Sequence, residues 1–436
     1  MNQQSTKSNF GKWGWSMIAY CAISYYLAAS LATDTLNYYP AAFTALRGWD
    51  ASVADLCNVM SGIGGWLGVF TAFIFSTMTA KKGSKFMAVL GNVVSAGLTV
   101  IFALTKDPKM FLAMVVAISC ITGNIQLNLV PNNIMNIWFP KKKGLALGWA
   151  SMGLPLCTAT IVVIFSIIGN PVVSYLGLAV LMFIFGIVSI FWLKDTPEEV
   201  GATPDNEPID LETANALKAA QMEEAKKYTI KALVKNRNTW LIGVGHGILW
   251  MTTLGLVSNF IPKLMMVGTP QGTAIGMLTL AAVVGIVGSY IWGWIDQKFG
   301  TKQASIIYGV WYLVALLLMI FHNGSMIMTL LVSLFVGFGI GGIGNLIPSI
   351  IGTCFGRFGF VQANRIIAPV NTAVRSVAFI IIGAVGTANL NTAYAIFFLC
   401  SCAAVVMIAM IRQLESISHV SGKLGGAACS TRWHRH

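Results

Sequence analysis

Long apolar runs recur along the whole chain, too long and too uniform for anything but membrane-crossing helices. They fall at 13–37, 52–78, 86–105, 110–138, 144–168 and 175–193. After a polar gap they resume at 239–262, 271–295, 303–321, 325–353, 363–386 and 392–411. About 20 apolar residues cross a bilayer as a helix, whereas a barrel strand needs only about ten, alternating in polarity. The pattern predicts an all-α membrane protein with 12 transmembrane helices in two six-helix bundles. Residues 1–193 form the first bundle, 194–238 a linker, 239–412 the second bundle, and 413–436 a tail without apolar periodicity, read as disordered. Only 10% of the 436 residues are charged, against about 25% in soluble domains.

The formal charge of +13 sits in short loops between runs, which argues against a nucleic-acid partner. One side carries Lys7, Lys12, Lys81, Lys82, Lys85, Lys141 to Lys143, Lys298, Lys302 and Arg357. The other has only Arg47, Lys106, Lys109 and Lys263. The positive-inside rule puts both termini and the linker in the cytoplasm, in a multi-pass protein of the cell membrane. The first run is read as a retained span, and the chain as a monomer. Six of the eight cysteines lie inside apolar runs, so neither a metal site nor a disulfide framework is expected. No cofactor is expected either. The linker holds nine of the fifteen acids. It reads as a turn-rich tether followed by a surface helix with mixed charge.

The two halves match at one offset. Gly83-Ser84-Lys85 recurs as Gly300-Thr301-Lys302, Asn128-Leu129-Val130-Pro131 as Asn345-Leu346-Ile347-Pro348, and Gly68 as Gly285, each 217 residues on. Parallel repeats with a site between them near the midplane are a transporter architecture.

The layout resembles the major facilitator superfamily. GWIDQKFGTK at 293–302 is similar to that family's loop between helices 8 and 9, which acts as a cytoplasmic latch. The resemblance implies latch roles for Asp296, Lys298 and Gly300, though Asp296 stands one residue further from the glycine than the family pattern has it. In the first half, Thr79 stands where the acid would be. NIWFPKKKGLALG at 136–148 and PEEVGATPDNEP at 197–208 resemble the oxalate/formate antiporter and monocarboxylate transporter relatives. Those relatives place one basic residue in helix 8 and one in helix 11. Here helix 8 has neither Lys nor Arg over 271–295, Asn371 takes the helix 11 position, and Arg375 lies one turn beyond. The resemblance thus implies a single carboxylate on a larger or less polar body rather than a small dianion.

Arg375 falls near the middle of its run. A central arginine costs roughly 2.5–3.5 kcal/mol on insertion scales, so it faces protein or a wet cavity and marks a pathway. Its fork can bind a carboxylate through two parallel hydrogen bonds, and Asn371 shares its face. The structural alternative is a cation paired with helix dipoles or carbonyls. Asn124, Asn128, Asn132 and Asn136 recur every four residues in helix 4, lining a pathway or gluing helices; Asn345 in helix 10 has the same two readings. Tyr25 and Tyr26 would suit an aromatic or amphipathic acid. Trp250 would wall the cavity. His246 and Asp34 are candidates for carrying a coupling proton. Acids are nearly absent from the spans and no P-loop occurs, so an enzyme or an ATP-driven pump is not expected. The reading is a secondary transporter for an organic anion, driven by a proton or a counter-anion. A neutral solute or drug, or a channel-like sensor on the same scaffold, is the alternative.

Overall fold

The computed structural model describes residues 10–386 and 389–412; the tail and Lys7 lie outside them. The described residues are helical, with no strand. Eleven of the helices are long and apolar enough to cross a membrane. One of these, Ser52–Leu104, has 53 residues. At about 1.5 Å per residue it would reach about 80 Å, far beyond a hydrocarbon layer of about 30 Å. Gly83 divides it, with φ 85° and ψ 167°, a conformation open to glycine and closed to most side chains. The result is twelve crossings. They are α1 (Gly11–Ala32), α2 (52–82), α3 (84–104), α4 (Pro108–Trp138), α5 (Lys143–Ile168) and α6 (Pro171–Trp192), then α7 (Arg237–Ser258), α8 (Gln271–Phe299), α9 (Thr301–Ile320), α10 (Met326–Phe355), α11 (Gly359–Val385) and α12 (Leu390–Ala409).

Polar residues set the helix ends. Asp107 accepts from the Lys109 and Met110 N–H groups at the start of α4, and Asn170 from Val172 and Val173 at the start of α6. Gly300, 217 residues after Gly83, turns α8 into α9 with φ 85° and ψ 150°. The repeat read in the sequence thus carries one backbone conformation at both positions.

Two hydrophobic cores form, one from residues between Phe10 and Leu193, the other from residues between Leu233 and Ile411. The halves meet along two seams, α2 with α11 and α5 with α8. At the second seam a Cβ on Gly148 would lie 2.9 Å from the Ser289 carbonyl oxygen, so only glycine admits α8 this closely.

The linker is a packed strap rather than a loose tether. Pro197–Val200 and Pro204–Asn206 form single turns, and Leu211–Ala225 and Ile230–Lys235 form helices. Asp195 accepts from the Lys85 N–H at 2.8 Å, at the start of α3. Asp205, held at φ 58°, accepts from the N–H groups of Lys141 and Lys142, just before α5. Burial is the largest effect on both carboxyls and pushes their pKa values up. Glu198 reaches the second half: Arg357 donates Nη1 and Nη2 to its two carboxylate oxygens at 2.8 and 3.0 Å, and Nε to the Ile137 carbonyl at 2.6 Å. Both side chains are 2% exposed.

Candidate functional site

Arg375 lies in the middle of α11, past Pro369, which interrupts that helix's hydrogen-bond ladder. α7 packs on α11 through glycines. A Cβ on Gly243 would meet Val370 and one on Gly247 would meet Val374, both at 2.9 Å. One turn beyond Gly247, Trp250 lies beneath Arg375, with Cζ 4.2 Å from its ring centroid. Such a stack is worth about 0.5–2 kcal/mol. A cation–π contact of this kind consumes none of the guanidinium's five N–H groups. Arg375 is half-buried and makes no hydrogen bond or ion pair with a described residue. The second bundle offers no carboxylate to neutralise it. Asp296, at the far end of α8, is the one acid between residues 239 and 412.

Asn371, one turn before Arg375, is 4% exposed, and its Nδ2 is buried without a hydrogen-bond partner. The Trp250 indole N–H likewise has no protein acceptor among the described residues. A guanidinium, an amide and an indole, each with unused N–H groups, therefore adjoin one another on α11 and α7.

The other candidates are committed elsewhere. Asn124 donates to the Gly68 and Cys120 carbonyls and to Thr71 Oγ1, tying α4 to α2. Asn128 donates to the Gly123 carbonyl at 2.5 Å, within a stretch of α4, Gly123–Leu129, wound as a π-helix. Such bulges gather at functional sites. Asn345 donates to the Ser289 carbonyl and is fully buried between α10 and α8. Tyr25 donates to Asn132 Oδ1 at 2.5 Å and is enclosed, whereas half-buried Tyr26 pairs with Thr160. His246 faces Ser305 on α9 at 3.1 Å, inside the second bundle's own core. Asp34, beyond the end of α1, pairs with the side chains of Cys157, Thr158 and Thr33.

The three residues that the resemblance assigns to a latch differ in their surroundings. Asp296 is buried, contacts the Ser349 and Thr301 side chains, and lies where a Cβ on Gly144 would approach Oδ2 at 2.8 Å. A carboxylate at the N-terminus of α5 is where a helix dipole favours negative charge. Gly300 forms the turn. Lys298 is exposed and lies over the Trp294 and Phe299 rings at 4.6 and 5.3 Å, its stem covering aromatic surface.

Three residues escaped the sequence reading. Arg365 lies inside α11, which begins at Gly359, and donates to Thr77 Oγ1 across the α2–α11 seam. Arg357 and Glu198 read separately as loop charges. Nothing in the sequence announces a pair 159 residues apart.

Solved structures share the fold. The proton:xylose symporter XylE, bound to 6-bromo-6-deoxy-D-glucose, superposes with TM-score 0.72 at 14% identity, covering 93% of this chain and 97% of its own. A variant of the E. coli fucose:proton symporter FucP gives 0.66 at 14% identity, covering 91% and 98%. No curated protein sequence is detectably similar to the chain. The family model described as Major Facilitator Superfamily matches residues 13–383. With twelve crossings in two repeated halves and a model match over most of its length, the chain belongs to the Major Facilitator Superfamily.

Proposed function

We propose that the chain is a secondary active transporter that carries an organic monocarboxylate across the cell membrane by alternating access, with Arg375 taking the negative charge. One observation carries this reading: a half-buried guanidinium, lying over Trp250, makes no hydrogen bond or ion pair with a described residue, and the one acid of its own bundle, Asp296, is at the far end of α8. Leaving a charge inside a membrane protein unpaired is costly, and a bound carboxylate satisfies it through charge-assisted bonds. The resemblance of residues 136–148 and 197–208 to monocarboxylate carriers supports the same class. The strap and the basic loops then lie in the cytoplasm, and Asp296 at α5 is the latch of the closed inner face. A neutral solute is the second reading, supported by the sugar cargo of both neighbours.

Uptake by proteoliposomes tests both. Labelled aliphatic and aromatic monocarboxylates and a neutral hexose are offered with and without an inward pH gradient. The proposal expects carboxylate uptake that Arg375→Ala abolishes while the protein still inserts. Hexose uptake indifferent to Arg375→Ala would replace it. Stimulation by the gradient assigns proton coupling; stimulation only by internal anion assigns exchange.

A further inference from the structure

We infer that the carboxylate accepted at Arg375 bears a hydroxyl close to its charged end, and that Asn371 reads it; this rests on the anion reading of Arg375. Of the four amides considered for the site, three already donate to protein acceptors. Asn124 donates three times, Asn128 to Gly123 and Asn345 to Ser289. Asn371 alone has no described partner for its amide, and its Nδ2 is enclosed without an acceptor.

A buried amide without partners is a standing penalty in the empty site. A plain alkanoate, bonded to Arg375 through its two oxygens, would leave that penalty in place. A second carboxylate would need a second cation, and the Arg375–Trp250–Asn371 cluster holds one. A hydroxyl both donates and accepts, so it satisfies whichever end the amide turns toward it. The geometry fits a short reach. Positions 371 and 375 share a helix face with Cβ atoms about 5–6 Å apart. Gly247 of α7 packs on the backbone here, where a Cβ would lie 3.5 Å from the Asn371 Cα.

Matched pairs of acids test the assignment by calorimetric titration of the purified full chain: lactate against propionate, 3-hydroxybutyrate against butyrate, mandelate against phenylacetate. We expect the hydroxy acid of at least one pair to bind roughly tenfold more tightly than its partner, the scale of one well-made neutral hydrogen bond. Asn371→Leu should erase that ratio by weakening the hydroxy acid alone. Asn371→Ser, which keeps a short polar group, should retain part of it. Arg375→Ala should lose both members. A ratio near one in every pair in the parent overturns the inference without any variant, and loss of both acids in Arg375→Ala then leaves the anion reading standing. A ratio unchanged by Asn371→Leu overturns the assignment to Asn371. Failure of every acid to bind, or binding indifferent to Arg375→Ala, removes the anion reading itself.

Discussion

Glu198→Gln should loosen the strap end of the molecule without touching the proposed site. In the parent, Arg357 spends three N–H groups on Glu198 and the Ile137 carbonyl, and both charged side chains are 2% exposed. The glutamine keeps an acceptor for one of them but leaves the guanidinium buried without a counter-charge. Removing one partner of a buried pair costs about 3–5 kcal/mol. At about 1.4 kcal/mol per tenfold, that is roughly two to three and a half orders of magnitude in the local opening equilibrium. Hydrogen–deuterium exchange of the detergent-solubilised protein reads this directly, because the pair joins the end of α4, the linker and the loop before α11. Exchange at residues 137–143 and 355–360 should accelerate by at least a hundredfold, with α1 and α12 little changed. Replacing both partners together, as Glu198→Met with Arg357→Met, should come back close to parent protection, since an apolar pair of similar volume carries no orphan charge. Exchange within threefold of the parent in Glu198→Gln would refute the claim that this pair holds the halves together.

Three further outcomes follow from the geometry. Gly300→Ala forces a side chain into φ 85° and should cost about 1–2 kcal/mol in thermal unfolding, with Gly83→Ala worse because its Cβ would also clash with Asp195 Oδ2; equal stability in all three proteins would contradict it. Asn124→Leu strands the groups it now bonds and should lose about 1–3 kcal/mol of stability while leaving the KM for uptake unchanged, so a large KM shift with normal stability would move Asn124 into the site. Burial raises the pKa of Asp205, so its folded carboxyl holds a proton more tightly than the unfolded chain does. The stability it contributes is complete below the ordinary carboxylate pKa and is lost as pH rises through the raised one. Protection of the Lys141 and Lys142 amides should therefore fall over that window in the parent, and Asp205→Asn should flatten the fall; a variant with the same pH profile would count against it.

Much of the fold is legible because period and length are local properties. Twelve apolar runs gave twelve crossings, and three short matches at one spacing located the duplicated turn at Gly83 and Gly300. Helix ends slipped where the apolar run and the helix differ: α11 starts four residues before its run, so Arg365 lies well inside the helix. The asparagine stripe shows why the site was harder. A spacing of four keeps side chains on one face, yet the same spacing lets each amide bond back to its own helix. Asn132 donates to the Asn128 carbonyl and Asn136 to the Asn132 carbonyl. Sequence pattern cannot separate that ladder from a wet stripe. Arg375 was legible for the opposite reason, since no local arrangement hides a guanidinium in mid-span. Its stacking on Trp250, 125 positions away in the chain, depends on how α7 and α11 pack.

The claim on which the rest depends is that an unneutralised guanidinium recognises the negative charge of the cargo. Affinity measured for one transported carboxylate and its uncharged primary amide, in the parent and in Arg375→Gln, isolates that charge. The account predicts that the parent binds the carboxylate about 30- to 150-fold better than the amide, and that Arg375→Gln brings the two within a few-fold by weakening only the carboxylate, a difference of about 2–3 kcal/mol for a charge-assisted pair. A parent-like preference for the carboxylate in Arg375→Gln would contradict it.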